Sequence, residues 1–148
     1  MRAGYRYDTS VFPGKRGHGG LKINQLAPYR VEGKFSGIVE FPITVAPLFG
    51  RLICFSGGGY LRIFPYHFIR GMALSVLREA KPVIFYIHPR EIDPGQPRLA
   101  MNIKRRFKSY VNLRTTESKI RKILREFDLV TFKEYLNMNQ LGVKNARD

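Results

Sequence analysis

The sequence predicts an α/β fold, and three observations indicate this class. Hydrophobic residues make up 44% of the 148 residues and are spread along the chain, which suits one compact domain with a core. The apolar run Val83–Ile87 has the length and composition of a strand that is covered on both faces. Segments with helical spacing alternate with short strand-like segments, which favours an α/β or barrel-like architecture over an all-helical one.

The first half of the chain predicts two strands and a helix. Residues 37–43 indicate a strand that closes at a proline, and residues 52–55 indicate a second strand. Three consecutive glycines, Gly57–Gly59, let the backbone pass close to another group. Apolar residues then recur at helical spacing after Pro65, which predicts a helix that ends near residue 80.

The second half predicts a strand, a loop and an amphipathic helix. Val83–Ile87 is expected to be a central parallel strand, and the three prolines and one glycine of residues 89–97 predict an irregular loop. An amphipathic helix is expected to begin at residue 115 or 116, with Lys and Arg on its polar face. Residues 129–132 predict a last short strand, and the polar tail, residues 137–148, is expected to fray.

The charge balance narrows the possible partners without choosing one. Lys and Arg number 26 against 11 Asp and Glu, so the formal net charge is +15. Such a field attracts nucleic acid, anionic membrane surfaces or acidic polysaccharide. Alternatively, the chain is the basic remainder of a larger protein whose other half is acidic. The single cysteine, Cys54, excludes an internal disulfide and an all-thiolate metal site.

The sequence contains no recognisable targeting or membrane segment. Residues 1–13 lack the apolar core of a signal peptide, and nowhere do about 18 apolar residues run together. The chain as it stands is therefore expected to be cytoplasmic, without a transmembrane segment.

His88 is the first candidate for chemistry, because it follows the apolar run Val83–Ile87. In folds with parallel strands, reactive side chains gather at the carboxyl ends of the strands. An imidazole titrates near neutrality, so it can protonate a leaving group, and a nearby carboxylate can orient it. The alternative is a structural histidine that donates a hydrogen bond to a backbone carbonyl, and periodicity alone leaves both open.

Four ordered motifs resemble a known family. They are Gly4–Pro13, Glu40–Pro42, Gly57–Tyr66 and Phe85–Pro94. In this order and at these spacings, they resemble the C-terminal half of the NodB-homology polysaccharide deacetylases. More closely, they are similar to the subgroup found with exopolysaccharide and exosortase loci, and Arg106–Leu113 is similar to the C-terminal extension of that subgroup.

The resemblance implies a fold and a domain organisation. It implies the C-terminal part of a distorted (β/α) barrel of the polysaccharide deacetylase type, followed by a helical C-terminal extension. Residues 1–97 would be the incomplete catalytic domain, residues 98–136 the extension and residues 137–148 a flexible tail.

The resemblance also implies an activity and site residues. Members of the family remove acetyl groups from sugar polymers with a divalent metal, often zinc, so an acetylated polysaccharide is the expected substrate. His88 matches the histidine that protonates the leaving amine, and Asp8 matches the carboxylate that pairs with that histidine. Tyr60 and Arg62 are candidates for contact with the sugar, with a packing role as the alternative.

The family's metal ligands have no counterpart in this sequence. Its paired aspartates, its His-x-x-x-His pair and its Arg-Pro motif lie upstream of the motif that contains Asp8. The three histidines, His18, His67 and His88, do not stand at a local metal-ligand spacing, so no metal ligand is assigned. The isolated chain is therefore expected to be inactive, and to work beside an N-terminal half or to self-associate. An export signal would belong to that N-terminal half.

Two further functions compete with this one. The first is a basic module that binds nucleic acid or anionic glycan, although the resemblance gives no reason to expect a specific nucleic acid. Its basic residues would be Lys104, Arg105, Arg106, Lys108, Lys119, Arg121, Lys122 and Arg125, interleaved with Phe107 and Tyr110. The second is an independent hydrolase that uses His88 with Asp8, for which the sequence offers no convincing nucleophile.

Overall fold

The structure, a computed structural model, describes residues 4–14, 20–21, 23–32 and 37–139. Its strands are β1 (Tyr7–Asp8), β2 (Tyr29–Arg30), β3 (Val39–Glu40), β4 (Val45–Leu48) and β5 (Arg51–Cys54). Its helices are α1 (Gly58–Ile63), α2 (Tyr66–Arg78), α3 (Ile103–Tyr110), α4 (Leu113–Glu126) and α5 (Phe132–Met138), and a 3₁₀ turn covers Pro89–Glu91. The predicted α/β class is confirmed, whereas the strands of the described ranges form two small sheets and no closed barrel.

The chain divides into two compact units. The terminal unit comprises residues 1–43 and 129–148, and the central unit comprises residues 44–128. The terminal unit contains β1, β2, β3 and α5, and the central unit contains the remaining elements. The predicted boundary at residue 97 lies inside the central unit. It divides the catalytic domain from the extension that the resemblance implies, and it stays a prediction.

The terminal unit contains a three-stranded sheet with β3 in the middle. β1 pairs with β3 in parallel, and β2 pairs with it antiparallel. Tyr7 lies opposite Val39, and Asp8 lies opposite Glu40. A strand is thus confirmed within the predicted range 37–43. It is shorter than predicted, because it comprises only Val39 and Glu40.

Phe41, directly after β3, packs the sheet of the terminal unit against α5. Its buried ring lies 4.7 Å from the ring of Phe132 and 5.7 Å from that of Tyr135, measured between centroids. Tyr7 of β1 adds a third neighbour at 6.4 Å. Aromatic pairs at such distances contribute stability beyond the area they bury. The helix is therefore held on the sheet by tilted and edge-on rings.

A helix, α5, begins where residues 129–132 predicted a strand, and that prediction is wrong. Thr131 Oγ1 accepts a hydrogen bond from the Glu134 backbone N–H at 3.2 Å, and Glu134 Oε2 accepts one from the Thr131 N–H at 2.7 Å. These reciprocal bonds satisfy two amide groups that the first helical turn leaves unpaired. The same hydrogen bonds lower the pKa of Glu134. The β-rich composition of residues 129–132 is overridden by this capping box.

The central unit is built around α2. This helix buries Ile69, Met72, Ala73 and Val76, which recur at helical spacing. They pack in one cluster with Phe55, Leu61 and Ile123, from the end of β5, from α1 and from α4. The predicted helix after Pro65 is confirmed, and the predicted strand at residues 52–55 is confirmed as β5.

The hairpin of β4 and β5 turns through Phe49 and Gly50, both with positive φ, 49° and 72°. This turn geometry suits Asn-Gly, because a bulky residue in the left-handed region is strained. Phe49 is 95% exposed, so its ring adds little packing. We expect Phe49→Asn to raise the free energy of unfolding by about 0.5–1 kcal/mol in urea denaturation. Phe49→Val removes the same ring but stays strained, so an equal gain in that variant would contradict the explanation.

Residues 83–87 are not a central strand, and the prediction that both faces are buried is wrong. Within the described ranges, their only ladder pairing is a parallel bridge between Tyr86 and Gly57. The Ile84 N–H donates instead to Thr44 Oγ1 at 2.8 Å. The segment is half-buried, apart from its exposed last residue. The composition of the segment is that of a buried strand. A central strand needs a neighbouring strand on each side, whereas this segment has one bridge and one hydrogen bond to a side chain.

Besides α5, the helices α1 and α3 have no counterpart in the prediction, and α4 starts earlier than predicted. The glycines of α1 predicted a close approach and not a helix, and in α3 only Ile103 and Phe107 stand at helical spacing among basic residues. α4 begins at Leu113, two residues before the predicted start, after Asn112 in the left-handed conformation. Among the helices of the described ranges, none has both the length and the apolar character needed to cross a bilayer.

Two predictions fall wholly or partly on residues outside the described ranges. Residues 14–20 are rich in glycine and predict a connecting loop, of which residues 15–19 lie outside the described ranges. The tail predicted to fray from residue 137 lies outside them from residue 140, whereas α5 continues to Met138.

Candidate functional site

His88 lies exposed at the end of the extended segment 83–87 in the central unit. The 3₁₀ turn Pro89–Glu91 follows directly and redirects the chain. The imidazole ring meets the ring of Tyr86 edge-on, with centroids 6.0 Å apart and an interplanar angle of 74°. An exposed imidazole at a turn is accessible to a bound molecule, as an acid catalyst must be.

Glycines next to this segment allow Tyr86 to approach the start of α1. A Cβ atom at Gly57 would lie 2.4 Å from the Tyr86 ring, closer than real contacts permit. Gly58 has a φ of 56°, in the left-handed region that favours glycine. The predicted close approach at these glycines is therefore confirmed, and its partner is the residue two before His88.

Glu91 anchors the backbone of His88 from the interior. Its side chain is 0% exposed, and its Oε2 accepts a hydrogen bond from the His88 N–H at 3.2 Å. Its Oε1 lies 3.7 Å from Arg62 Nε, and neither of these two atoms has a hydrogen-bond partner among the described residues. A buried carboxylate requires a compensating cation. Arg62, 2% exposed, is that cation.

The guanidinium of Arg62 also binds the C-terminal end of α3. Nη2 donates to the Lys108 carbonyl at 2.8 Å, and Nη1 donates to the Ser109 carbonyl. Burial lowers the pKa of Arg62, and the charge of Glu91 opposes that shift. Each of these contacts is made within the chain, so a contact between Arg62 and substrate stays a prediction.

Tyr60, the other predicted substrate residue, lies in α1 with a partly exposed side chain. Its ring stacks near that of Phe64, with centroids 6.2 Å apart. This arrangement leaves part of the ring free to meet a ligand, and the predicted contact with sugar stays a prediction.

Lys119 of α4 is buried, so it is not part of an exposed basic surface. Its side chain is 8% exposed, and Nζ donates to the carbonyls of Leu61 at 3.1 Å, Arg62 at 2.7 Å and Phe64 at 2.8 Å. These carbonyls lie at the C-terminal end of α1, where a cation is favourable. Burial lowers the pKa of this ammonium group.

Asp8 lies in β1 of the terminal unit with an exposed side chain. Its Oδ1 accepts hydrogen bonds from the Thr9 N–H at 2.9 Å and from Ser10 Oγ at 2.8 Å. These local bonds hold the carboxylate in one orientation. The opposing residue, Glu40, is buried, and its Oε1 accepts from the Val11 N–H at 2.9 Å. Burial raises the pKa of Glu40, and Asp8 raises it further by repulsion.

An open cleft of about 610 Å³ borders Asp8 within the terminal unit. Its lining combines aromatic, charged and amide side chains: Tyr5, Tyr7, Asp8, Phe132, Lys133 and Asn137 are among them. Apolar surface with a few polar groups is the usual composition of a small-molecule site.

The described residues do not supply a metal site. Among them, no three His, Cys, Asp or Glu side chains come together to hold an ion. A zinc site needs at least three such ligands. The described part of the chain therefore does not fit the divalent metal that the resemblance implies. Asp8 and His88 belong to different units, so their predicted pairing stays a prediction.

Comparison with known proteins places the chain in a family. The family model described as Domain of unknown function (DUF3473) matches residues 9–137. The chain belongs to this family, which is associated with polysaccharide deacetylases. No curated protein and no solved structure matches the chain.

The residues that sequence reasoning missed are the buried charges. Glu91 stands three residues after His88 inside the motif Phe85–Pro94, in a segment whose prolines and glycine predicted an irregular loop. Lys119 stands in a run of basic residues that predicted a solvated helix face. No local signal distinguishes a buried cation from its exposed neighbours, because its carbonyl partners lie 55–58 residues away in the sequence.

Proposed function

We propose that this chain is part of a metal-dependent polysaccharide deacetylase of the NodB-homology type, corresponding to the C-terminal half of its barrel and the helical extension. The observation that carries the proposal is the match of residues 9–137 to a family associated with polysaccharide deacetylases. The metal-binding residues are supplied by a separate segment, and the substrate is an acetylated polysaccharide of the exopolysaccharide class.

His88 is the proton donor in the proposed reaction. Water adds to the acetyl carbonyl while it loses a proton to a base that the separate segment supplies. The C–N bond then breaks, His88 protonates the departing amine, and the acetyl group is released as acetate. Asp8 is its proposed partner, because a carboxylate beside an imidazolium favours the charged form. The exposure of His88 and the hydrogen bond from its N–H to Glu91 support this role, since the ring is accessible while its backbone is anchored.

The cleft beside Asp8 supports a sugar polymer as the substrate class. Tyr5 and Tyr7 offer exposed aromatic surface, and Lys133 and Asn137 offer hydrogen-bond donors. Sugar rings have apolar faces and hydroxyl edges, which suit aromatic rings and polar side chains respectively. In this proposal the cleft holds sugar units of the polymer.

Deacetylase activity on an acetylated amino-sugar oligomer, measured by acetate release with added zinc, tests the proposal. We expect no activity from the chain alone and activity when it is combined with a matching N-terminal half that carries the metal ligands. In the active combination, His88→Ala is expected to lower kcat by about a hundredfold or more, because general acid catalysis contributes on that scale.

His67→Ala is the matched control, since it removes an exposed histidine from α2 in the same unit. We expect it to leave activity unchanged. A combination that folds and binds zinc but releases no acetate would overturn the deacetylase assignment. Equal activity of wild type and His88→Ala would keep the deacetylase but remove His88 as its acid.

The net charge of +15 favours a second candidate, a basic module that binds anionic glycan or nucleic acid. The exposed cations available to it are Lys104, Arg105, Arg106, Lys108, Arg121, Lys122 and Arg125. Binding of a polyanion by the chain alone, with a steep dependence on salt and no dependence on His88, would support this candidate over the first.

A further inference from the structure

Helix α3 presents apolar and basic side chains without burying any of its residues. Ile103 is 86% exposed and Phe107 is 58% exposed. Because they are four residues apart, they share one face of the helix. Lys104, Arg105 and Lys108 occupy the remaining surface, together with Arg106, and the helix contains no acidic residue. An isolated eight-residue helix with this composition would be marginal in water.

The structure holds α3 mainly at its two ends. At the start, Asn102 Oδ1 accepts a hydrogen bond from the Arg105 N–H at 2.9 Å. At the end, the carbonyls of Lys108 and Ser109 accept hydrogen bonds from the buried Arg62. These contacts use the backbone of the helix and the cap, so the side chains of its exposed faces are left to meet a partner.

Leu99 extends the apolar surface beside the helix. It is 68% exposed, and its N–H donates to Tyr110 Oη at 2.9 Å, which fixes it near the end of α3. The guanidinium carbon of Arg98 lies 4.2 Å from the centroid of the Tyr110 ring. The surface thus consists of exposed apolar side chains with cations around them.

We propose that α3 and Leu99 bind an anionic lipid surface, with Ile103 and Phe107 inserted between the headgroups. A short amphipathic helix whose apolar side chains are flanked by Lys and Arg lies in the membrane interface, where burial of the apolar face and attraction to anionic lipid act together. This function goes beyond the proposed deacetylase and does not depend on it.

A second copy of the chain fits this surface poorly. Four cations within eight residues would face the same four cations of the other copy, and the whole chain carries +15. The exposed apolar side chains are also few, whereas a stable interface needs roughly 800 Å² from each partner. An acidic glycan would satisfy the cations and could stack on Phe107, but it would leave Ile103 in water.

Cosedimentation of the full chain with lipid vesicles tests the proposal. We expect binding to vesicles of phosphatidylcholine mixed with phosphatidylglycerol, and little binding to phosphatidylcholine alone. Ile103→Ser with Phe107→Ser should weaken binding by at least about tenfold, because the apolar burial is lost. Since no residue of α3 is buried, the variant should keep the wild-type circular dichroism spectrum.

Charge variants distinguish the attraction of α3 to the anionic lipid from the attraction that the net charge of the whole chain exerts. The triple change Lys104→Gln, Arg105→Gln and Lys108→Gln should weaken binding by about a hundredfold, at about fivefold for each cation near the surface. The matched triple Arg51→Gln, Arg78→Gln and Arg125→Gln removes the same charge from exposed positions outside α3 and should have a much smaller effect. Equal effects of the two triples would overturn the proposal.

Three other results would also overturn it. The first is that the folded wild-type chain does not bind the anionic vesicles. Binding that survives the loss of Ile103 and Phe107 and is competed by an anionic polysaccharide would identify the surface as a polyanion site. Self-association without lipid that disappears in the same double variant would identify an interface between copies.

Discussion

Replacing Arg62 by Met is expected to lower the free energy of unfolding by about 3–5 kcal/mol, because it leaves a buried carboxylate without its cation. Glu91 is fully buried, and Arg62 Nε lies 3.7 Å from its Oε1. The substitution also removes the donors that satisfy the Lys108 and Ser109 carbonyls. These two acceptors are partly buried, so losing their donors adds to the destabilisation.

Urea denaturation followed by circular dichroism measures this effect. Arg78→Met, at an exposed position in α2, is the matched control and should change stability by less than about 0.5 kcal/mol. Adding Glu91→Gln to Arg62→Met should recover part of the loss, since the unpaired charge is gone. A loss in Arg62→Met no larger than that of the control would show that the buried ion pair does not stabilise the central unit.

Replacing Lys119 by Met is expected to lower the free energy of unfolding by about 2–4 kcal/mol. The ammonium group donates to the carbonyls of Leu61, Arg62 and Phe64, and the thioether of Met fills a similar volume without donating. The change removes this donor from the Leu61 and Phe64 carbonyls, whereas the Arg62 carbonyl still accepts from Asn112 Nδ2 at 3.2 Å. Each buried carbonyl without a donor costs about 1–3 kcal/mol.

The neighbouring region offers a control for Lys119. Lys104→Met makes the same chemical change at an exposed position in α3 and should alter stability by less than about 0.5 kcal/mol. Thermal denaturation of the two variants side by side provides the comparison. Equal melting temperatures would mean that water replaces the ammonium group at the carbonyls without loss.

Elements with a strong local pattern were predictable from the sequence. α2 was predicted because its buried residues recur at helical spacing after Pro65, and Gly57 was predicted to permit a close approach. α5 had a local signal too, the capping box of Thr131 and Glu134, which the β-rich composition of residues 129–132 obscured. α3 had a weak signal only, because just two apolar side chains, Ile103 and Phe107, stand at helical spacing among its basic residues.

The candidate site residues were chosen from the sequence, and their roles stay predictions. His88 was expected at the end of an apolar segment, and it lies there. The expectation that this segment is a central strand failed because composition reports how apolar a segment is, but not how many neighbouring strands are present to pair with it. The family motifs indicated His88 and Asp8 as site residues. Only the fold showed which neighbouring residues hold each of them in position.

The sequence by itself determined the α/β class, the position of α2, the excess of positive charge and the family motifs around Asp8 and His88. These follow from local spacing and composition. Only the tertiary structure decided that Arg62, Glu91 and Lys119 are buried. The reason is physical: a charge can be buried only where partners from distant segments satisfy it, and the sequence near a charged residue does not contain those partners.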